Sequence, residues 1–349
     1  MTSRLIGDMT RKVLGLAKGR ACAEFRPSVL QDGSAFALPD GLREVCPRRF
    51  KAVKPAAVER HTTRDLLCDT PTTVVLSPDT THAQAFLPAP ASLRASVLLA
   101  DRGYLDLHSL RRVQEAGGFL LIRAKAGMHP QGVEAFREDG TRLRSLRNKP
   151  LQAIHATLPK RQRVERVVAW QVEERPLRLR LLISWNLQTK AFCSLVTNLP
   201  AQRSPLDMLY RAYQWRWHVE VLVKEWQSYA HLHAFDTENP AIVEGLMWTA
   251  IAAAALKRFL AHMTQLLLEV PMSTRKVAMC AVHVLGEIGQ ALKTGDVAGL
   301  YDAREAAILS LARHAQRAHP TRDQHTGRSQ LGLEPLFGSD DLMEFAEAA

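Results

Sequence analysis

Two short, unbroken apolar runs constrain this chain most: Ser96–Ala100 (SVLLA) and Phe119–Arg123 (FLLIR), with a helix-patterned stretch between them. Neither run alternates apolar with polar residues. A strand of that kind must be covered on both faces, so each reads as a buried strand in the middle of a sheet. The stretch between, Leu107–Ala116, has helical spacing and stops at Gly117-Gly118. Further strands are expected at Ser28–Gln31, running into Asp32-Gly33, at Phe50–Arg60 and at Thr72–Leu76. Thr80–Leu93 reads as a short helix limited by Pro88 and Pro90. This order predicts an α/β fold, a mixed sheet flanked by helices.

The remaining chain divides by pattern. Residues 1–25 read as a short basic helical piece. Residues 128–204 read as a β-rich insertion, with strands at Val164–Val172, Arg178–Ser184 and Phe192–Val196. From Pro205 to about residue 315 the pattern is helical, and the tail from His319 to Gly332 is polar. A length of 349 residues is enough for two domains, or for one with a large insertion.

Charge and motif content narrow the function. The chain carries 46 Lys+Arg against 35 Asp+Glu, a net charge of +11, which attracts polyanions such as nucleic acid. Between Arg142 and Arg180 eleven basic residues face three acids, so most of the surplus lies in the β-rich segment. Arg161, Arg163 and Arg166 there are expected to follow a phosphate backbone; a solvated polar face is the alternative. Trp170 and Trp185 serve as core packing or as stacking platforms for bases. The longest apolar run, Gly245–Leu256, falls short of the ~20 residues a spanning helix needs, so no membrane partner is expected. Five scattered cysteines without a C-x-x-C favour a reducing, cytoplasmic setting. No phosphate-binding loop and no dinucleotide fingerprint is present.

Three acids stand out by position. Asp32 ends the first strand and Asp101 ends the buried run at Ala100. A carboxylate there caps a turn or helix, or binds a cation. Asp69 and Asp79 precede Asp101 too, but both sit in turn-like connections. Farther on, Tyr213, Arg216 and Glu220 follow helical i, i+3, i+7 spacing and share one stripe. Such a stripe is either a helical Arg–Glu pair packed beside a tyrosine or part of a site. His231 and His233 lack further ligands at metal-binding spacing and read as helix-end polar residues.

The Tyr-x2-Arg-x3-Glu pattern at Tyr213, Arg216 and Glu220 resembles the signature of the insertion sequence 4 family of DDE transposases. Leu98–Leu110 (LLADRGYLDLHSL) resembles that family's second-aspartate motif, and Ser28–Leu38 (SVLQDGSAFAL) its first. The likeness covers about residues 25–260. It implies an RNase H-like catalytic core at 25–127 and 205–260, interrupted by the insertion at 128–204. Residues 1–24 would then be a remnant of the N-terminal DNA-binding region, and 261–349 a helical C-terminal region with a loose tail. The resemblance further implies that Asp32, Asp101 and Glu220 hold two divalent ions, Mg²⁺ or Mn²⁺, for phosphodiester hydrolysis and strand transfer. Tyr213, Arg216 and Lys224 would contact double-stranded DNA in a homodimeric complex of a bacterial mobile element. The family's lysine position carries Gln227, which supplies no cation to phosphate. Only 31 residues precede Asp32, which predicts a chain lacking most of its end-recognising part. A DNA-binding remnant without excision activity is therefore the alternative expectation.

Overall fold

The computed structural model describes residues 29–49, 54–65, 70–125, 128, 130–186, 189–202, 204–214, 216 and 235–318. Nine strands form one sheet in the order β3-β2-β1-β4-β5-β9-β8-β7-β6. They are β1 Val29–Ala37, β2 Ala57–Asp65, β3 Thr70–Pro78, β4 Val97–Ala100, β5 Phe119–Arg123, β6 Gln131–Arg137, β7 Val164–Val172, β8 Arg175–Asn186 and β9 Ala191–Thr197. Strands β1, β4 and β5 run parallel to one another; the other pairings are antiparallel. This mixed sheet with helices on both faces is the expected α/β architecture, consistent with an RNase H-like fold.

The apolar runs explain the layering. Along β4, Leu98 and Ala100 face a core shared with helix α1 (Leu107–Glu115) and the short α2 (Leu151–Thr157), through Leu110, Val113, Leu151 and Ile154. Leu99 points the other way, with Leu30 of β1 and Leu121 of β5, against Leu206 and Leu209 of α3 (Leu206–Gln214). Both faces of β4 are thus sealed, which is why it carries no polar residue. At the far end of the second face, Phe36, Val58 and Val74 pack against Val243, Met247 and Ile251 of α4 (Pro240–Leu268). Helices α5 (Thr274–Thr294) and α6 (Val297–His314) continue from α4 around Leu260, Ala261, Val277 and Leu311.

Local signals place the helix ends. Asp106 caps α1 by accepting from the Ser109 N–H at 2.9 Å, and Gly117 behind it takes φ +75°. Asn239 caps α4 ahead of Pro240, Ser273 caps α5 and Asp296 caps α6.

Several expectations need correction. Thr80–Leu93 forms two 3-10 turns, Ala83–Phe86 and Pro90–Leu93, because prolines at 88 and 90 leave too few donors for a helical ladder. The second strand begins at Ala57 rather than Phe50, after Pro55; residues 50–53 lie outside the described ones. Strand β6 and helix α2 were hidden within the 128–204 segment. The strands of that segment hydrogen-bond onto the same sheet, β9 pairing directly with β5. Helix α4 runs 29 residues and, by length and composition alone, could cross a membrane. Lys257 and Arg258 interrupt its apolar run without ending the helix. Its inward stripe lies on the sheet and on α5 and α6. The basic 1–25 piece and the 319–332 tail fall outside the described residues.

Leu99 joins β1, β5 and α3 at the centre of the sheet, so truncating it leaves a cavity. Leu99→Ala is expected to cost about 2–5 kcal/mol in urea denaturation, whereas Leu267→Ala on the exposed side of α4 should change stability by less than about 0.5 kcal/mol.

Candidate active site

The site begins with register. Parallel pairing joins Leu30 to Leu99 and Gln31 to Ala100. One step on, Asp32 and Asp101 lie level with each other: Asp101 follows the last residue of β4, while Asp32 sits within β1, which continues to Ala37 rather than ending at the carboxylate as the sequence suggested. Leu30 and Leu99, two residues earlier, face the same cluster, so the two carboxylates emerge on that face as well. Neighbouring strands lie about 4.8 Å apart, which puts both side chains within reach of one pair of cations. Pairing of β4 with β5 brings Ala100 beside Ile122, and the next position in β5 is Arg123.

Asp101 opens a 3-10 turn at Arg102–Tyr104, yet its side chain caps nothing there. That removes the capping role left open by the sequence. The Tyr213 hydroxyl instead donates to Asp101 Oδ1 at 3.3 Å. Arg216 Nη1 lies 3.9 Å from Asp32 Oδ1, and its guanidinium sits 5.9 Å from the centre of the Tyr213 ring. The end of α3 is thereby set over the carboxylates, with one polar side chain of the stripe on each. Burial raises the Tyr213 pKa, so its hydroxyl stays a proton donor at neutral pH.

Asp32 is also flanked by buried cations. It stands opposite Thr62 in β2, and Ser34 stands opposite Arg60. Arg60 is almost wholly enclosed. Burial pulls its pKa down to about 10, while the charge of Asp32 works in the opposite direction. Burial also raises the thiol pKa of Cys193 on β9, with Arg123, Asp101 and Arg216 close enough to act on it.

Glu220, Lys224 and Gln227 lie outside the described residues. Among the described residues no group of three or more His, Cys, Asp or Glu is disposed to hold a metal ion; Asp32 and Asp101 form a pair. Asp79 is buried in a turn and accepts from the Arg49 N–H at 3.2 Å; Asp69 and both histidines of the 231–233 segment fall outside the described residues.

The basic segment is less available than its sequence suggests. Arg161 is exposed, and Arg163 pairs with Glu138 at 3.2 Å. Arg166 is a correction: its side chain is fully buried and its Nη2 donates to the Leu146 carbonyl at 3.1 Å, so it cannot meet a phosphate. It points inward because it occupies a core-facing position of β7 beside Gly132, where even a Cβ would collide with its guanidinium. Arg180 is likewise turned inward, held by Glu165 at 2.7 Å and by the Leu199 carbonyl. Trp170 packs on the core, and Trp185 meets Phe192 edge-on at 5.0 Å beneath Lys160.

Sequence reasoning passed over Arg123, Arg60, Tyr104 and His61. Arg123 had a legible signal: it closes the second apolar run as Asp101 closes the first. Arg60 and His61 had none, because a strand reading VERHTTRD looks solvent-exposed.

The sequence model of the transposase DDE domain family matches residues 45–256, more than half of the chain. The match contains Asp101, Tyr213, Arg216 and Glu220 and begins after Asp32. No curated protein matches. Among solved structures, a cryo-EM structure of a piggyBac transposase synaptic complex with hairpin DNA is similar at a TM-score of 0.47 and 10% identity. The likeness covers 90% of this chain and 59% of that one, so the chain spans less than two thirds of its length. On the extent of the family match, the chain belongs to the transposase DDE domain family.

Proposed function

We propose that the protein is a DNA transposase of the insertion sequence 4 group, which cuts and joins phosphodiester bonds at the ends of its element. The observation that carries this reading is the in-register emergence of Asp32 and Asp101 beneath Tyr213 and Arg216. The donor set suits hard cations: two adjacent carboxylates, with Glu220 one turn beyond Arg216 in the sequence, offer oxygen ligands only. Asp32, Asp101 and Glu220 would hold two Mg²⁺ or Mn²⁺ ions. Bound there, the pair would supply Lewis acidity to the phosphate and a more acidic attacking water or 3′-hydroxyl.

The protein's own groups do the positioning. Tyr213 remains protonated and can pass its hydrogen bond from Asp101 to a phosphate oxygen. Arg216 offers a planar fork that matches phosphate better than it matches a single carboxylate oxygen at 3.9 Å. Arg123, Arg161 and Arg163 add positive charge for the DNA backbone, with Lys224 and Gln227 beyond the described residues. A homodimer acting on paired ends in a bacterial cytoplasm fits this reading.

A second reading, a DNA-binding copy without excision, is favoured by Gln227 in the lysine position of the signature. One assay separates the two. The protein is incubated with duplex DNA carrying the sequences that flank its own coding region, with Mg²⁺. Nicking by the wild type that disappears in Asp32→Ala and Asp101→Ala supports the transposase; nicking unchanged in Asp101→Ala refutes the assigned site. Binding without nicking, with activity gained by Gln227→Lys, supports the second reading.

The Arg216–Asp32 contact yields a separate prediction. A guanidinium on Asp32 opposes a cation there, so Arg216→Ala should raise the Mn²⁺ affinity of the DNA-free protein roughly tenfold while weakening DNA binding. Unchanged Mn²⁺ affinity, measured by electron paramagnetic resonance of free Mn²⁺, would contradict the contact.

A further inference from the structure

On the face of the sheet opposite Asp32 lies a buried polar chain that the reaction does not itself use. Tyr104 ends the 3-10 turn that starts at Asp101, and its N–H donates to the Asp101 carbonyl at 3.0 Å. Its side chain is nearly inaccessible and runs beneath β1. There its hydroxyl meets His61 Nδ1 at 3.1 Å and lies against the Gln31 amide. Gln31 is held in turn by the Thr63 hydroxyl at 2.6 Å. His61 is stacked on Phe86 at 3.7 Å, with Glu59 3.7 Å from its Nε2. Gln84, in the same short turn as Phe86, donates to the Gly103 carbonyl at 2.8 Å.

The contacts converge on one position. Gly33 follows Asp32, and a Cβ placed on it would lie 2.9 Å from the Tyr104 hydroxyl, 2.7 Å from Glu59 Oε1 and 3.1 Å from His61 Nδ1. The absent side chain is what lets the tyrosine approach. Tyr104 therefore joins the two segments that carry the carboxylates: it is three residues from Asp101 in the chain and its hydroxyl sits against Gly33, the residue after Asp32.

We propose that Tyr104, seated under Gly33 and hydrogen-bonded to His61, is a positioning residue that sets the separation of the Asp101 and Asp32 carboxylates. The hydroxyl matters and not only the ring, because its hydrogen bond to His61 and its close approach to Gly33 determine how far the Asp101 turn sits beneath β1. Buried outer groups of this kind orient the residues that hold a metal, and losing one typically weakens metal affinity by about ten- to a hundredfold.

This inference rests on the reading of Asp32 and Asp101 as a shared cation site, and its test uses metal binding alone. Mn²⁺ affinity of the full chain is measured by electron paramagnetic resonance for the wild type, Asp101→Ala, Tyr104→Phe, Gly33→Ala and the Gly33→Ala/Tyr104→Phe double variant. Folding is followed by thermal melting, and DNA binding is measured in EDTA. The expected result is loss of Mn²⁺ binding in Asp101→Ala and about tenfold weaker binding in Tyr104→Phe. DNA affinity in EDTA stays at the wild-type level in Tyr104→Phe, which separates positioning from a general loss of structure. The double variant should be no worse than the worse single one, since both act on one contact. A folded Tyr104→Phe protein with wild-type Mn²⁺ affinity overturns the positioning role while leaving the cation site intact. Undiminished Mn²⁺ binding in Asp101→Ala overturns the shared site and the positioning role with it.

Discussion

The parallel pairing of β1 with β4 is the constraint on which the rest of the site depends. A strand of four residues, Val97–Ala100, has little hydrogen bonding of its own to resist slipping. Its register is held by side chains instead: Leu98 and Ala100 lock into one core, and Leu99 into the other between Leu30 and Leu121. A shift by one residue would send Leu99 to the wrong face and carry Asp101 away from Asp32. The apolar packing that buries β4 is therefore also what aligns the carboxylates. Polar chemistry begins at the first residue past the seal.

The same logic extends to the second layer. The face of β1 and β2 that bears Asp32 also carries Arg60, and the opposite face carries Gln31 and His61; all three are buried. Enclosing so many polar groups is costly unless they find partners. Burial keeps His61 neutral by lowering its pKa to about 4, which suits a ring stacked on Phe86 and in hydrogen-bond contact with the Tyr104 hydroxyl. Strained or costly polar burial concentrates where a site must be held in shape. Here it brackets Asp32 from both sides of the sheet.

Much of this was legible in the sequence. The apolar runs predicted the buried strands, and β7 appears at Val164–Val172 as its Val-rich alternation indicated. Asp101, the carboxylate that closes the first apolar run, was visible for the same reason. The pairing of Tyr213 with Asp101, 112 positions apart, and of Arg216 with Asp32, farther apart still, was not, because contacts so distant in the chain leave no local trace. Strand β2 was misread at its start, and its buried arginines were invisible: charged residues in a row read as surface until the fold encloses them. Arg166 failed in the opposite direction. Counted as part of a basic surface, it is an interior side chain, since alternation along β7 assigns it to the core and composition alone does not show which face is which.

A crystal of the protein soaked in Mn²⁺, with manganese located by its anomalous scattering, would test the shared site most directly. A shared site requires manganese between the Asp32 and Asp101 carboxylates, with the Tyr213 hydroxyl and the Arg216 guanidinium moved off them. Manganese bound elsewhere, with both of those contacts intact and the two carboxylates without metal, would contradict it.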